Sequence, residues 1–415
     1  MLAGLLSALA VSLGGLLRVD AAPPGRPALP ALKVGVSLAL TGPDARWGVP
    51  MLRGVELAVA DVNRRRGAGD HGLEIVVLDS AGPGIEGISQ WRGMNNYQRF
   101  IADPAVIAAI GPQTSGEGRA VAALLSRADL ATITPSATTF DITDPALRDH
   151  FRPGGRTVYF RTVGTDLAQG DAMARFAHAR LGVRRLVLID DGTGFGVRMA
   201  LTFARRAGAL GMTVLARRQI PWTEGDYRPV LRELQALDPQ ALYFAGEQPV
   251  GLKLARQVGD ILPSVHRLAA ESLYDRAFSV QAGAAADGWY VSNVAPDPSA
   301  GPGAAAWADR FRARFGDAPS SYSLTAYTAL AVIAEAARRV GMRGQPVTRT
   351  RLREAIQATR LPDTPQGSVS FDGNGDLAHP VVSIYQVRSG AFHYLEAVTG
   401  TGAPPSPAET ASGRP

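Results

Sequence analysis

Side chains able to act together first appear in two hydroxyl-rich loops. The apolar run Val106–Ile110 (VIAAI) leads into Gly111-Pro112-Gln113-Thr114-Ser115-Gly116-Glu117. The next short strand pattern, Ala131–Thr134, leads into Pro135-Ser136-Ala137-Thr138-Thr139. A serine just ahead of a helical pattern ordinarily serves as an N-cap. The same place exposes free backbone N–H groups and the positive end of a helix dipole, which suit an anion. The loops follow consecutive strand patterns and should lie close together, where two hydroxyls and several amides suit a carboxylate. Glu271 follows the run RLAA near the end of a later strand pattern. Opposite a carboxylate site it would receive an ammonium, and a zwitterion would fit across the gap. Each charge-assisted hydrogen bond would contribute roughly 1.5–3 kcal/mol, and several are needed because stripping water from an ion costs several kcal/mol.

Other chemistries fail on spacing. Gly192-Thr193-Gly194-Phe195-Gly196-Val197 approaches a dinucleotide fingerprint but has Val197 where its last glycine belongs. No Gly-Lys-Ser/Thr phosphate loop and no Gly-x-Ser-x-Gly elbow occurs, and the six histidines show no i,i+4 pair. Asp372-Gly373-Asn374-Gly375-Asp376 begins like a calcium loop, then has Leu377 and Ser383 where Gly and Glu are required; it reads as a tight turn. With no cysteine, disulfides, thiolate metal sites and cysteine nucleophiles are excluded. Nothing calls for a cofactor, a metal or an enzymatic acid–base set.

The elements that would position these loops alternate. Strand patterns at 33–40, 73–78, 106–110 and 131–134 are interleaved with helical patterns at 47–63, 88–101 and 116–126. The alternation restarts with an extended piece at 157–161 and a helix at 167–181. Strands at 185–189, 213–218, 241–245, 267–270 and 288–292 follow, with helices at 196–210, 227–237 and 250–261. Three helical patterns (305–315, 322–340, 350–358) and extended pieces at 367–371, 381–387 and 392–396 close the chain. The expected fold class is α/β, with two doubly wound, Rossmann-like lobes. Ligands of such sheets sit at the carboxyl ends of the strands, so two facing units place a ligand in the cleft between them.

The 415 residues suffice for two or three domains with sizeable cores. A charged fraction of 19% with 46% apolar residues excludes a wholly disordered chain. The net charge of +6 is scattered, with no basic patch interleaved with aromatics, so no nucleic-acid partner is expected. Residues 2–17 form an apolar run too short for a comfortable membrane span. Val19-Asp20-Ala21 follows, with small residues where a signal peptidase needs them. Residues 1–22 therefore read as a signal peptide, although no Lys or Arg precedes the apolar run, which leaves an uncleaved anchor as the other reading. Residues 23–32 read as a Pro-rich linker, and 401–415 as a disordered tail.

In this order, KVGVSLALTG, GVELAVADVN, IGPQTSG, TPSATT, DDGTGFG, AGEQP, AAES and FDGNGDL resemble the periplasmic substrate-binding proteins of branched-chain-amino-acid-type ABC transporters, the leucine/isoleucine/valine-binding family. The resemblance covers roughly residues 33–397 and lies in the ordered set rather than in any one motif. It implies a type I periplasmic binding fold whose lobes are joined by a three-crossover hinge. The lobes would comprise 33–164 with 294–378, and 165–293 with 379–400. It further implies a periplasmic, monomeric, non-enzymatic protein that captures a small polar ligand by hinge closure. The ligand, an amino acid or a similar compound, would be delivered to the permease and ATPase subunits of an ABC importer. A ligand-sensing receptor of the same fold is the alternative.

By position, the resemblance assigns Ser115, Ser136 and Thr138 to the ligand carboxylate and part of the ammonium, and Glu271 to the ammonium. Trp47, Phe195 and Tyr322 would be aromatic walls of the side-chain pocket. This chain departs from the family's pattern at Glu247, where aliphatic-binding relatives have an aromatic, and at Gln113 and Thr114, which are polar rather than apolar. A carboxylate against a bare leucine side chain is poorly compensated. The departures lean toward an amino acid with a polar or cationic side chain, or an amide-like compound.

Overall fold

Short runs of buried β-branched and aliphatic residues build two separate sheets. The computed structural model describes residues 29–82, 90–301 and 303–400; the expected signal peptide and tail lie outside them. The chain begins β1(Ala31–Leu38)–α1(Ala45–Arg65)–β2(Gly72–Asp79)–α2(Gln90–Ala102)–β3(Val106–Ile110)–α3(Ser115–Ala128)–β4(Ala131–Thr134)–α4(Arg148–Phe151)–β5(Tyr159–Arg161). These strands form an all-parallel sheet in the order β2-β1-β3-β4-β5. Every residue of β3 and β4 is buried, as a sheet covered on both faces requires.

The second sheet draws on α5(Asp166–Ala179), β6(Arg185–Asp190), α6(Gly194–Ala209), β7(Thr213–Gln219), α7(Arg228–Gln235), β8(Ala241–Ala245), α8(Gln248–Ile261), β9(His266–Ala269), α9(Arg276–Ala282) and β10(Trp289–Asn293). The chain then gives α10(Ala304–Phe315), α11(Ser321–Met342) and α12(Arg349–Gln357). These helices share one core with β1 and α1, in which Trp307, Phe311, Leu330 and Leu352 are buried. The hairpin β11(Arg360–Thr364)–β12(Gly367–Ser370) follows. The last strands, β13(Val381–Arg388) and β14(Ala391–Thr399), join the second sheet antiparallel at its edge, in the order β14-β13-β10-β9-β8-β6-β7.

The fold is therefore two doubly wound lobes through which the chain passes three times, as expected for the type I periplasmic binding architecture. The crossovers run side by side. The Gly164 N–H donates to Val294 O (2.8 Å), Ser383 Oγ to Ala295 O (2.9 Å) and the Arg161 N–H to Gly375 O (3.2 Å). Gly375 has φ +99°, and a Cβ there would stand 2.1 Å from the Tyr159 carbonyl, so the third crossover needs glycine at this point. Each lobe has its own core. Helices α5 and α6 cover one face of the second sheet, and α7, α8 and α9 the other. Each fully buried large apolar side chain in these layers contributes roughly 1.5–3 kcal/mol.

Candidate functional site: the cleft between the lobes

The carboxyl ends of both sets of parallel strands feed the loops at the cleft. On the first lobe, β3 and β4 are neighbours, so the two hydroxyl-rich loops lie together. Thr114 is the N-cap of α3, its hydroxyl accepting the Glu117 N–H (3.3 Å). Ser115 opens the helix, and its Oγ accepts the Thr139 N–H (3.2 Å), which leaves the hydroxyl proton to donate outward. Ser136 Oγ donates to Gln113 O (2.7 Å), so its proton is spent tying the loops together. The Gln113 amide is engaged in the same way: Oε1 accepts the Ala39 N–H (3.0 Å) and Nε2 donates to Asp44 O (3.4 Å). Gln113, Thr114 and Ser136 thus shape the first-lobe surface through bonds within that lobe.

A buried arginine supports this surface from beneath. Arg161, fully buried at the end of β5, donates through one nitrogen to Ala137 O and Thr139 O (both 3.0 Å), the carbonyls that flank Thr138. Its Nε pairs with Asp376 Oδ1 (2.5 Å), and Thr143 Oγ1 accepts from Arg161 (2.9 Å) while donating to Asp376 Oδ2 (2.9 Å). The loop that presents Thr138 is thereby fixed to the first and third crossovers.

The second lobe presents carboxylates. Thr165 caps α5 by accepting the Ala168 N–H (3.3 Å), which sets Asp166 at the first helical position. Asp166 is 1% exposed; its N–H donates to Thr138 O (2.9 Å) and its carboxylate meets the Thr138 hydroxyl, yet Oδ1 has no partner. Glu271, directly after the β9 run, faces the same space with Oε2 buried and unpartnered. Burial raises the pKa of Glu271 to about 8, helped by the charges of Asp166 and Glu247 and opposed by Gln169. Burial also raises Asp166, against the pull of Thr138 and Arg198. No ion-pair partner of either carboxyl lies among the described residues. Two carboxyl groups sharing one space are costly unless a cation enters.

The aromatic residues close the sides. Trp47, in the first turn of α1, meets Tyr322, in the first turn of α11, edge to face at 6.1 Å. Tyr322 also packs on Val163, Val294 and Ala295 of the crossovers. Burial, then Glu271, pushes its phenol well above the usual tyrosine range, which sets the ring beside the carboxylates. Phe195 is half-buried in the first turn of α6 against the second-lobe core. Glu247 is exposed at the N-cap of α8, its N–H held by Asp191 Oδ2 (2.6 Å). Across the cleft, Arg46 Nη1 lies 3.1 Å from Asp275 Oδ2, an ion pair that joins the lobes.

Sequence reasoning missed Asp166 and Arg161. Asp166 follows a capping threonine, where an acidic residue ordinarily just complements the helix dipole. Arg161 ends a strand, and nothing local marks it as buried.

A parallel sheet and a mixed sheet, with crossovers side by side and a cleft with hydroxyls on one wall and carboxylates on the other, make a two-lobed α/β architecture. The chain belongs to the periplasmic binding protein family, whose model matches residues 31–391. It is 26% identical over 366 residues to a Leu/Ile/Val-binding protein of Rhizobium johnstonii, covering 86% of this chain and 92% of that one. Two solved structures share the fold. The branched-chain amino acid transporter substrate-binding protein LivJ from Streptococcus pneumoniae, in complex with isoleucine, superposes with TM-score 0.72 at 20% identity (89% and 99% of the chains). An ABC-transporter solute-binding protein of R. palustris, in complex with benzoate, superposes with TM-score 0.67 at 20% identity (89% and 97%).

Proposed function

We propose that this protein is the extracytoplasmic ligand-capturing component of an ABC importer, and that its ligand is an amino acid or a similar small zwitterion. The observation that carries the reading is the pair of carboxyls, Asp166 and Glu271, each with a buried unpartnered oxygen and no ion-pair partner among the described residues, facing the α3 N-terminus across the cleft. The ligand carboxylate meets Ser115 and the free amides of α3, with Thr138 beside it. The ammonium meets Asp166 and Glu271, while Trp47, Tyr322 and Phe195 flank the side chain. A ligand that touches both lobes only when they are closed shifts the open–closed equilibrium by its differential affinity. The closed shape is what a membrane permease with its ATPase subunits would read. The names of the relatives and the apolar residues 2–17 support an exported carrier.

The test is a thermal-shift screen on protein unfolded and refolded to strip carried-over ligand. The panel holds the L-amino acids, with benzoate as the carboxylate lacking an ammonium. A ligand at a hundred times its dissociation constant adds about 2.7 kcal/mol of stability, which raises the melting temperature visibly. An amino acid should shift the melt, and Glu271→Gln should weaken its binding at least about tenfold, as loss of one charged hydrogen bond implies. A shift by benzoate alone, or Glu271→Gln binding the amino acid as tightly as wild type, would overturn the zwitterion reading.

A further inference from the structure

Helices α5 and α6 pack side by side with both N-termini at the cleft, and their register is fixed by two contacts. A Cβ on Gly170 of α5 would stand 2.6 Å from Thr202 Cγ2 of α6, and Arg206 Nε lies 2.6 Å from Asp171 Oδ1. One helical turn back from Gly170 and Thr202 stand Asp166 and Arg198, so the same register brings them face to face at the cleft end. The charge of Arg198 acts on Asp166. Yet they form no ion pair: Arg198 Nε is sealed from solvent with no hydrogen-bond partner, and so is Asp166 Oδ1. A desolvated guanidinium donor with nothing to donate to is costly, and so is a desolvated carboxylate oxygen with nothing to accept. The two unpartnered atoms call for polar ligand atoms of opposite kinds, an acceptor for Arg198 Nε and a donor for Asp166 Oδ1.

We propose that Arg198 is a specificity-determining residue of the cleft and selects amino acids whose side chains end in an oxygen acceptor, a carboxamide or a carboxylate. The inference rests on the zwitterion reading above. There the first lobe takes the α-carboxylate and Asp166 with Glu271 takes the ammonium, so the ligand side chain is the part left to meet Arg198. A guanidinium offers planar donors that match a carboxylate in pairs and a carboxamide oxygen singly. Phe195, three residues earlier on the same edge of α6, offers a ring for the intervening methylenes. An aliphatic side chain would enter the same space and leave the buried Nε without an acceptor, which is how a polar site rejects an apolar analogue. Glu247, whose charge reaches Glu271, belongs to the neighbouring strand-end loop and would accept an amide NH2 or repel a second carboxylate.

The experiment is titration calorimetry on the refolded full chain with L-glutamine, L-glutamate and L-leucine, using wild type, Arg198→Met and Arg198→Lys. Wild type should bind glutamine or glutamate at least about tenfold tighter than leucine, because only these satisfy the buried donor. Tighter glutamine identifies the carboxamide as the acceptor, and tighter glutamate the carboxylate. Arg198→Met should weaken the preferred ligand at least about tenfold while holding leucine within about threefold. Arg198→Lys, which keeps the charge without the planar fork, should recover only part of the loss. Leucine bound as tightly as both polar ligands, or Arg198→Met and Arg198→Lys both binding the preferred ligand as wild type does, overturns the proposal and leaves the zwitterion site standing. No binding of these or any other amino acid by wild type overturns both.

Discussion

Each lobe buries a carboxyl group with no ion-pair partner among the described residues, and the two are placed to opposite effect. Glu117, in the first turn of α3, is fully enclosed within the first lobe. It accepts from Ser37 Oγ (3.1 Å) and the Gln113 N–H, and burial raises its pKa to about 8. Glu271 in the second lobe is pushed equally high, but it borders the cleft. A cation has no route to Glu117, whose surroundings are the close-packed Gly93, Tyr97 and Tyr159. Glu271 can be reached whenever the lobes part. At the cleft the first lobe spends Gln113, Ser136 and Arg161 on its own loops, and its unpartnered Glu117 Oε2 lies sealed in the interior. The second keeps unsatisfied groups at its face. On the proposed zwitterion reading, an anion cradle rigid before binding stands opposite a wall of carboxyls that gains a partner on binding, a division of labour suited to capture by closure.

The sharpest way to test this contrast is through protons. Glu117 has a folded pKa above its unfolded value near 4.5, so the folded state holds the extra proton. Stability is therefore highest below pH 4.5 as far as this group is concerned, falls as pH rises toward 8, and is flat beyond. The slope is about 1.4 kcal/mol per pH unit, a few kcal/mol over the window. Urea unfolding between pH 5 and pH 8 should show Glu117→Gln losing much of the wild-type decline and being the more stable protein at pH 8. A slope equal to that of wild type would mean that Glu117 is ionised in the fold, which would remove the contrast with Glu271.

For Glu271 the same raised pKa should appear in binding. Below about pH 8 the ligand-free carboxyl is protonated, and docking an ammonium must expel that proton. The dissociation constant of the cognate amino acid should rise as pH falls from 8 to 6, by at most about tenfold per pH unit. Calorimetry in buffers of different ionisation enthalpy should register proton release. In Glu271→Gln both the slope and the release should shrink. Proton uptake in wild type would place the ammonium elsewhere and dissolve the contrast between the two glutamates.

Much of the fold was legible in the sequence because its signals are local. The boundaries of β3 and β8 coincide with uninterrupted apolar runs, and α3, α6 and α12 start directly after a capping threonine. The pieces that escaped lack such signals. Strand β11 (RLPDT) carries proline and charge and pairs only with β12, and α9 is a seven-residue helix. The site divides in the same way. Ser115 and Glu271 stand at the ends of apolar runs, where a βα fold exposes them, so position alone singled them out. Arg161 and Arg198 are defined by what lies on another element: the carbonyls of the Thr138 loop in one case, the end of α5 in the other. Gln113 shows the limit from the opposite side. The family resemblance puts its position on a pocket wall, while bonds to the β1–α1 loop engage its amide.

The smallest expected effect concerns the rim, where the two lobes meet directly. Asp275 caps α9 through Oδ1, which accepts the Ala277 N–H (2.7 Å), and offers Oδ2 to Arg46 of α1 at 3.1 Å. The cap holds with the lobes apart, whereas the ion pair needs them together. Arg46 is about half exposed and lies over the Trp47 ring, whereas Asp275 is largely buried, so water and salt screen the pair from the Arg46 side. A half-exposed pair of this kind contributes on the order of 1 kcal/mol. Arg46→Ala should therefore speed ligand release about two- to fourfold, with a smaller change in the association rate, since the pair forms late in closure. The wild-type release rate should rise with salt between 50 mM and 500 mM, while that of Arg46→Ala should change less. Asp275→Asn, which keeps a capping oxygen, should reproduce the faster release, and the double variant should add little to either single one. Full additivity would mean that the two residues act separately and that closure is held by the ligand and the hinge alone.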